Sequence, residues 1–315
     1  MAFKISIQRA RQFIFILQCG AAWHAQQGDL DAAVDDCLAM LRLTQSLQDE
    51  PTLIAQLVRI ALQAITVHGT ERVLAQTRPT KEYAEQLQRM QKVWEEFDTG
   101  LAFRQGIRGE RAGSHRLYEG LESGKERMSN LMPSKTSGTE EYFTNAFFQF
   151  NMKPAHAWTL RYMTKVVQTA DLPEPERAAR WHELEQEAVK APGVARLLVP
   201  AIQKVFDANR RGDAQARSLI AGLAAERFRL DNDRWPKSLA EMTPKYLAKI
   251  PDDPYTGKPL QMRDTGDGIV FFAVGPDGKS RGDFQEETAT KRFAIRFEFR
   301  LWNVGQRRQI VAKEP

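Results

Sequence analysis

Residues 214–282 constrain the fold more than any other stretch of the chain. They open as an amphipathic helix, ARSLIAGLAAERFRLDNDRW, turn at Trp235-Pro236, and pass through KSLAEMTPKYLAKIPDDPYTGKPL into GIVFFAVGPDGKSRGD, a strand with an acidic glycine loop. A helical period that gives way to a strand pattern within one short segment calls for a helix packed on a sheet, since neither element can bury its apolar face alone. The turn residues Asp252, Asp253, Pro254, Tyr255, Thr256 and Gly257 punctuate the change. Strands are expected at 260–263 and 268–274, joined by the Asp264-Thr265-Gly266-Asp267 connection. A last strand, FAIRFEFRLW, alternates Phe293, Ile295, Phe297, Phe299 and Leu301 with Arg296, Glu298 and Arg300, so one face is buried and the other wet.

The remainder reads as helix. Ile7, Ala10, Ile14, Leu17, Ala21 and Ala25 recur at three-to-four spacing, while Phe13, Phe15 and Ile16 make the other face apolar too. Such a helix is either a buried core element or docks on a membrane surface or partner, and the core reading is favoured. Gly28-Asp29 separates it from a second alanine-rich helix, with Asp29 placed to cap. Pro51 opens a third helix, with Leu53, Leu57, Ile60, Ala61, Ala64 and Val67 on one face; Thr80 caps a fourth. Between 100 and 140 the glycines at 100, 106, 109, 113, 120, 124 and 138 predict a flexible stretch. Helices resume from 154 onward. The fold class expected is α+β, mostly α: a helical bundle over 1–193, then a long helix on a small antiparallel sheet over 194–315, the two parts that a 315-residue chain is long enough to form.

The first two helices resemble a single tetratricopeptide-like hairpin, with no second copy at a fixed period. The order of helix, RWP turn, PKYL, DPYTGKPL, hairpin and VGPDG resembles the globular part of the type II secretion major pseudopilin. The chain as a whole looks like a group of uncharacterised bacterial proteins that set such a module after an all-helical region, through DEPTLIAQLVRIALQAI and RQGIRGERA. The pseudopilin resemblance implies a calcium loop at Asp277 and Asp283, yet Lys279 and Arg281 put positive charge where a hard cation takes oxygen ligands. It also implies a leader and a continuous apolar helix, whereas here the equivalent helix follows some 200 residues of other structure. A pseudopilin-type filament is therefore not expected.

The chain holds no GxSxG, GxxxxGK[ST] or GxGxxG, and HELE at His182 lacks the second histidine of a zinc-binding HExxH. His24, His68, His115, His156 and His182 are scattered and read as structural or exposed. Cys19 and Cys37 have no zinc spacing and read as small buried apolar side chains. Arg104, Arg108, Glu110 and Arg111 are candidates for an ion-pair cluster or an anion site, and the ion-pair reading is favoured. The net charge of +5 is carried by residues 291–315, where seven basic residues face two acidic ones; Arg296, Arg300, Arg307 and Arg308 form a basic tail that could meet phosphate or an anionic surface. No segment reads as the roughly 18 apolar residues needed for a bilayer span, FIFIL at 13–17 being too short.

Module grammar without a catalytic constellation points to a non-enzymatic interaction or scaffold protein with a protein partner, needing no cofactor other than the calcium that the resemblance implies. Nucleic-acid or anionic-surface binding through the basic tail is the alternative, and an enzyme at the junction of the two parts is the third reading. If Met1 is the first residue the expected compartment is the cytoplasm; an apolar anchor upstream would place the protein at the cell envelope.

Overall fold

A computed structural model describes residues 2–126, 139–173, 176–193, 195–275 and 297–307. The helices are α1 (Ala2–Gln27), α2 (Leu30–Gln45), α3 (Leu53–Gln76), α4 (Ala84–Glu95), α5 (Thr99–Glu122), α6 (Thr139–Ala170), α7 (Glu176–Val189) and α8 (Ala195–Asn232). Three antiparallel strands, β1 (Gln261–Asp264), β2 (Gly268–Phe272) and β3 (Glu298–Trp302), stand in the order β1-β2-β3. The fold is α+β and mostly α.

The chain packs as two units that interleave along the sequence. One comprises Met1–Gln48, Leu57–Thr99 and Ala208–Pro315, the other Asp49–Gln56 and Gly100–Asp207. The boundary expected at 193/194 falls inside the second unit.

In the first unit α1 and α2 form a helical hairpin. Gly28 takes φ 81°, a left-handed conformation that costs glycine little, and the Asp29 side chain accepts a hydrogen bond from Ala32 N at 3.0 Å, capping α2. Helix α8 supplies the apolar floor for the sheet. A Cβ on Gly222 would lie 2.3 Å from a Phe299 ring carbon, so the bare backbone there is what lets β3 sit on the helix. Along β3, Phe299 and Leu301 are buried while Glu298, Arg300 and Trp302 are half-buried, the alternation that the strand sequence predicts. One apolar cluster runs from Leu38 of α2 and Trp94 of α4 through Leu219 and Phe228 of α8 to Phe271 of β2.

The turn between α8 and the sheet is fixed by polar contacts. The Trp235 indole donates to Asn303 Oδ1 at 2.7 Å, tying the RWP turn to the end of β3. Asp253, buried, accepts from Tyr255 N and from Val274 N, each at 2.7 Å, so one carboxylate organises the DPYTG turn and the exit of β2. Arg217 of α8 donates to Asp252 O at 2.6 Å, and the Arg210 guanidinium lies 4.5 Å from the centre of the Tyr255 ring.

In the second unit the expected flexible stretch is corrected in its first part. Gly100, Gly106, Gly109, Gly113 and Gly120 all lie within α5. A Cβ at Gly109 would fall 1.8 Å from the carbonyl oxygen of Pro51, and one at Gly106 would fall 2.6 Å from Gln56 Cγ. These glycines permit close approach instead of breaking the helix, a role that depends on distant residues and leaves no local mark. Gly124, at φ 72°, follows the end of the helix. The core joins Phe103, Ile107 and Tyr118 of α5 to Tyr162 and Val166 of α6, Trp181 of α7 and Phe206 of α8. The Trp181 and Phe206 rings stack with centroids 3.9 Å apart.

One expectation about a membrane span is also corrected. Helix α3 is long and apolar enough to cross a bilayer by length and composition, although most of that stretch is buried within the protein. Its buried face is only in part the one expected: Leu53, Ile60 and Val67 are buried, Leu57 and Ala61 are exposed, and Arg59, Leu62, Gln63, Thr66 and Thr70 are inside as well.

Candidate functional site

Helix α1 divides sharply into two faces. Ala10, Ile14, Ala21 and Ala25 are buried against the first unit. On the opposite side Phe13 is 56% exposed, Phe15 52%, Ile16 66% and Trp23 58%. At 100° per residue Phe13, Ile16 and Trp23 fall within about 80° of one another, and Phe15 flanks them. Cys19 is exposed on the same side, which corrects its expected burial, whereas Cys37 is buried and its thiol is pushed up to about 12, chiefly by burial. Arg9 and Arg11 are exposed at one end of the stripe, and no acidic residue precedes Asp29.

The other end of the stripe is held by the hairpin. The Trp23 ring meets His24 edge-on at 4.8 Å, and His24 lies 4.0 Å from Asp29 and 3.9 Å from Asp36. Burial raises the Asp36 carboxyl above its ordinary value, His24 acting against that shift and Asp35 with it. A Cβ at Gly20 would sit 2.6 Å from Asp36 Oδ2, so this glycine allows α2 to close on α1 and fixes which side of α1 faces out.

Of the candidate residues in RQGIRGER, three arginines reach α6 and the turn after it, within the second unit. Arg108 donates to both oxygens of Asp171 at 3.1 Å, Arg104 stands 3.8 Å from the same carboxylate, and Arg111 donates to Thr164 Oγ1 at 3.0 Å. The acid at the centre is Asp171, not Glu110. The Arg108–Asp171 pair is well exposed, so it contributes little to stability.

Asp277, Asp283, Arg296 and Arg308 lie outside the described residues. Arg300 is held inward: its guanidinium pairs with Asp267 at 2.5 Å, and its backbone N–H donates to Glu71 Oε1 at 3.0 Å, covering the edge of β3. Arg307 is fully buried. It donates to both oxygens of Glu226, at 3.0 and 2.7 Å, and Arg229 adds two more hydrogen bonds to Oε1, at 2.7 and 3.2 Å. Burial alone would raise the Glu226 carboxyl; the charges and hydrogen bonds of Arg307 and Arg229 outweigh it and hold the group below its ordinary value. Two of the four arginines expected in a basic tail are thus engaged within the fold.

Two further polar groupings escaped the sequence reading. Buried Arg59 donates to Gln63 Oε1 and Asn209 Oδ1, each at 3.1 Å, and Gln63 donates to Gly212 O at 2.7 Å. Burial brings the Arg59 guanidinium down to about 10, with Asp213 opposing. In the second unit His115 of α5 and His156 of α6 meet at 3.0 Å, and His156 also contacts Glu122 at 2.9 Å. The signal in the sequence was His115, Glu119 and Glu122, one face of one helix by spacing, but nothing local announced a histidine 41 residues on. Among the described residues no three His, Cys, Asp or Glu side chains gather around a point that could hold a metal ion.

Comparison with protein-family models, with curated proteins and with solved structures finds no match.

Proposed function

We propose that this chain is a non-enzymatic interaction protein that docks on a protein partner through the outward face of α1, with the helix-and-sheet module as a second docking element. The observation that carries this reading is the stripe of Phe13, Ile16 and Trp23, each more than half exposed, on a helix whose other face is buried at Ala10, Ile14, Ala21 and Ala25. Contiguous exposed apolar groups on a soluble fold mark interaction sites, and aromatic side chains supply most of the energy at such contacts. The order of elements in residues 214–275, and their likeness in sequence to a pseudopilin module, supports association with the cell envelope.

A photo-crosslinking residue at position 16 in the cell of origin tests this, with one at exposed Lys190, outside both docking elements, as the control. A discrete adduct from position 16, absent at 190 and abolished by Trp23→Ser, is the expected result. Equal, diffuse labelling from both positions would refute it.

A second reading has its own observation. Arg9 and Arg11 beside an apolar stripe, in a stretch free of acidic residues up to Asp29, suit an anionic lipid surface. That reading predicts sedimentation with phosphatidylglycerol vesicles at low salt and release at high salt.

A further inference from the structure

Two rows of side chains run along the outward face of α1 at a spacing of seven. Arg9, Ile16 and Trp23 form one row, Gln12, Cys19 and Gln26 the other, and all of them are exposed. A seven-residue repeat is the spacing by which a helix keeps one seam turned toward a partner helix over successive turns. The middle of this seam is apolar, at Ile16, Cys19 and Trp23 with Phe13 and Phe15 on its flanks, while Arg9, Gln12 and Gln26 make its ends polar.

The two ends of the hairpin differ in charge. Residues 1–28 hold Lys4, Arg9 and Arg11 and no acidic residue, whereas the tip and the first turns of α2 hold Asp29, Asp31, Asp35 and Asp36 with no basic residue before Arg42. Asp29 and Asp36 are on the α1 side, 4.0 and 3.9 Å from the His24 ring, and the Asp29 side chain is 54% exposed. Arg9 stands ten residues before Cys19, and Asp29 ten after it. An anionic lipid surface attracts one end of this face and repels the other. A reversed copy of the same face complements both.

We infer that the partner taken by the outward face of α1 is a second copy of this chain, packed antiparallel about a two-fold axis near Cys19. The inference rests on the docking reading above and names its occupant. In this arrangement Ile16 of each copy packs against Trp23 of the other, Gln12 faces Gln26, and Arg9 reaches Asp29. One self-complementary patch is used twice, so both apolar centres are covered in a single contact that closes on itself. A parallel pair would set Arg9 against Arg9 and Asp29 against Asp29, like charges at both ends, which opposes that alternative.

The test uses the whole chain in sedimentation equilibrium over a range of concentrations. The expected result is a reversible monomer–dimer equilibrium that Ile16→Ser and Trp23→Ser each weaken by about tenfold or more. Arg9→Glu should weaken it too, and so should Asp29→Asn, which keeps the cap of α2 because asparagine caps as well as aspartate. Orientation is read with a short bis-maleimide on chains that carry Cys19→Ser, Cys37 being buried. Chains with Gln12→Cys mixed with chains with Gln26→Cys should crosslink to a dimer, whereas either chain alone should not. Wild-type protein that stays monomeric at every concentration would overturn the inference. If position 16 then still gives an adduct with a different protein, docking through α1 stands without it; if it gives none, both fall. A monomer that sediments with phosphatidylglycerol vesicles would give the face to lipid and overturn it as well. Dimers that survive both serine substitutions, or that crosslink equally well through Gln12→Cys alone, would do the same. Far-UV circular dichroism checks that each variant is folded, and the wild-type measurement stands whatever the variants do.

Discussion

Helices α1 and α3 invert the usual distribution of side chains in opposite directions. Helix α3 takes Arg59, Gln63, Thr66 and Thr70 inside, whereas α1 leaves Phe13, Phe15, Ile16 and Trp23 outside. The difference lies in where the partners are. These four polar groups are matched within the chain: Arg59 and Gln63 by side chains and a carbonyl, Thr66 and Thr70 by carbonyls of their own helix at 2.9 and 3.0 Å. The apolar stripe of α1 has no such match among the described residues of its own hairpin. A buried polar group that is satisfied describes internal architecture, and a large apolar surface that is not covered describes a use outside the fold.

The contrast can be broken from its inward side first. Glu226→Ala, which strips Arg307 of its carboxylate in a fully buried place, should cost about 3–5 kcal/mol in a urea titration. The same pair makes stability depend on acid. Because the folded state holds Glu226 below its ordinary value of 4.5, its contribution is complete above that value and is lost as pH falls through the folded value. Wild-type protein should therefore lose stability faster than Glu226→Gln as pH falls below about 4.5; parallel curves would show that the pair does not act this way. Arg59→Met should cost about 2–4 kcal/mol, since Gln63 and Asn209 would each lose a donor inside the core. Gly222→Ala is expected to cost about 1–3 kcal/mol by thermal or chemical denaturation, as Phe299 must shift to admit the methyl group.

The outward side should give the smallest effect on stability. Ile16→Ser and Trp23→Ser should each move the unfolding midpoint by no more than about 0.5 kcal/mol, while abolishing the crosslink from α1. A large loss of stability in either variant would make the stripe part of the core and remove its claim to be a docking face.

Much of the fold could be read in residues close together in sequence. The Gly28-Asp29 break, the alternation of Phe299 and Leu301, and the hairpin ahead of Gly268 are local patterns, and they stand where they were expected. What could not be read depends on meetings across the chain. The glycines of α5 look like breakers until Pro51 and Gln56 are set against them. Arg307 looks like a solvated tail residue until Glu226, 81 positions earlier, appears beside it. The buried side of α3 was legible at Leu53, Ile60 and Val67 but not at Arg59 and Gln63, because hydrophobic periodicity assumes that arginine and glutamine face water, and here they face each other. The candidate docking stripe was half legible: Phe13, Phe15 and Ile16 stood out as a second apolar face, but only packing decides which face is covered.

The interleaving of the two units has a consequence for the order in which the chain can fold as it leaves the ribosome. The second unit lies wholly inside the sequence of the first and has all of its residues once position 207 has emerged. The first unit must wait: Glu71 and Thr77 have no contact with Arg300 and Arg307 until nearly the whole chain has been made. Until then α3 carries Glu71, and α8 its bare Gly222 face, without the strand that meets them. A nascent chain in this state presents apolar and charged surface together for the duration of about a hundred residues of synthesis. A protein built this way has a long interval in which a chaperone, or another copy still being made, can reach what the finished fold conceals.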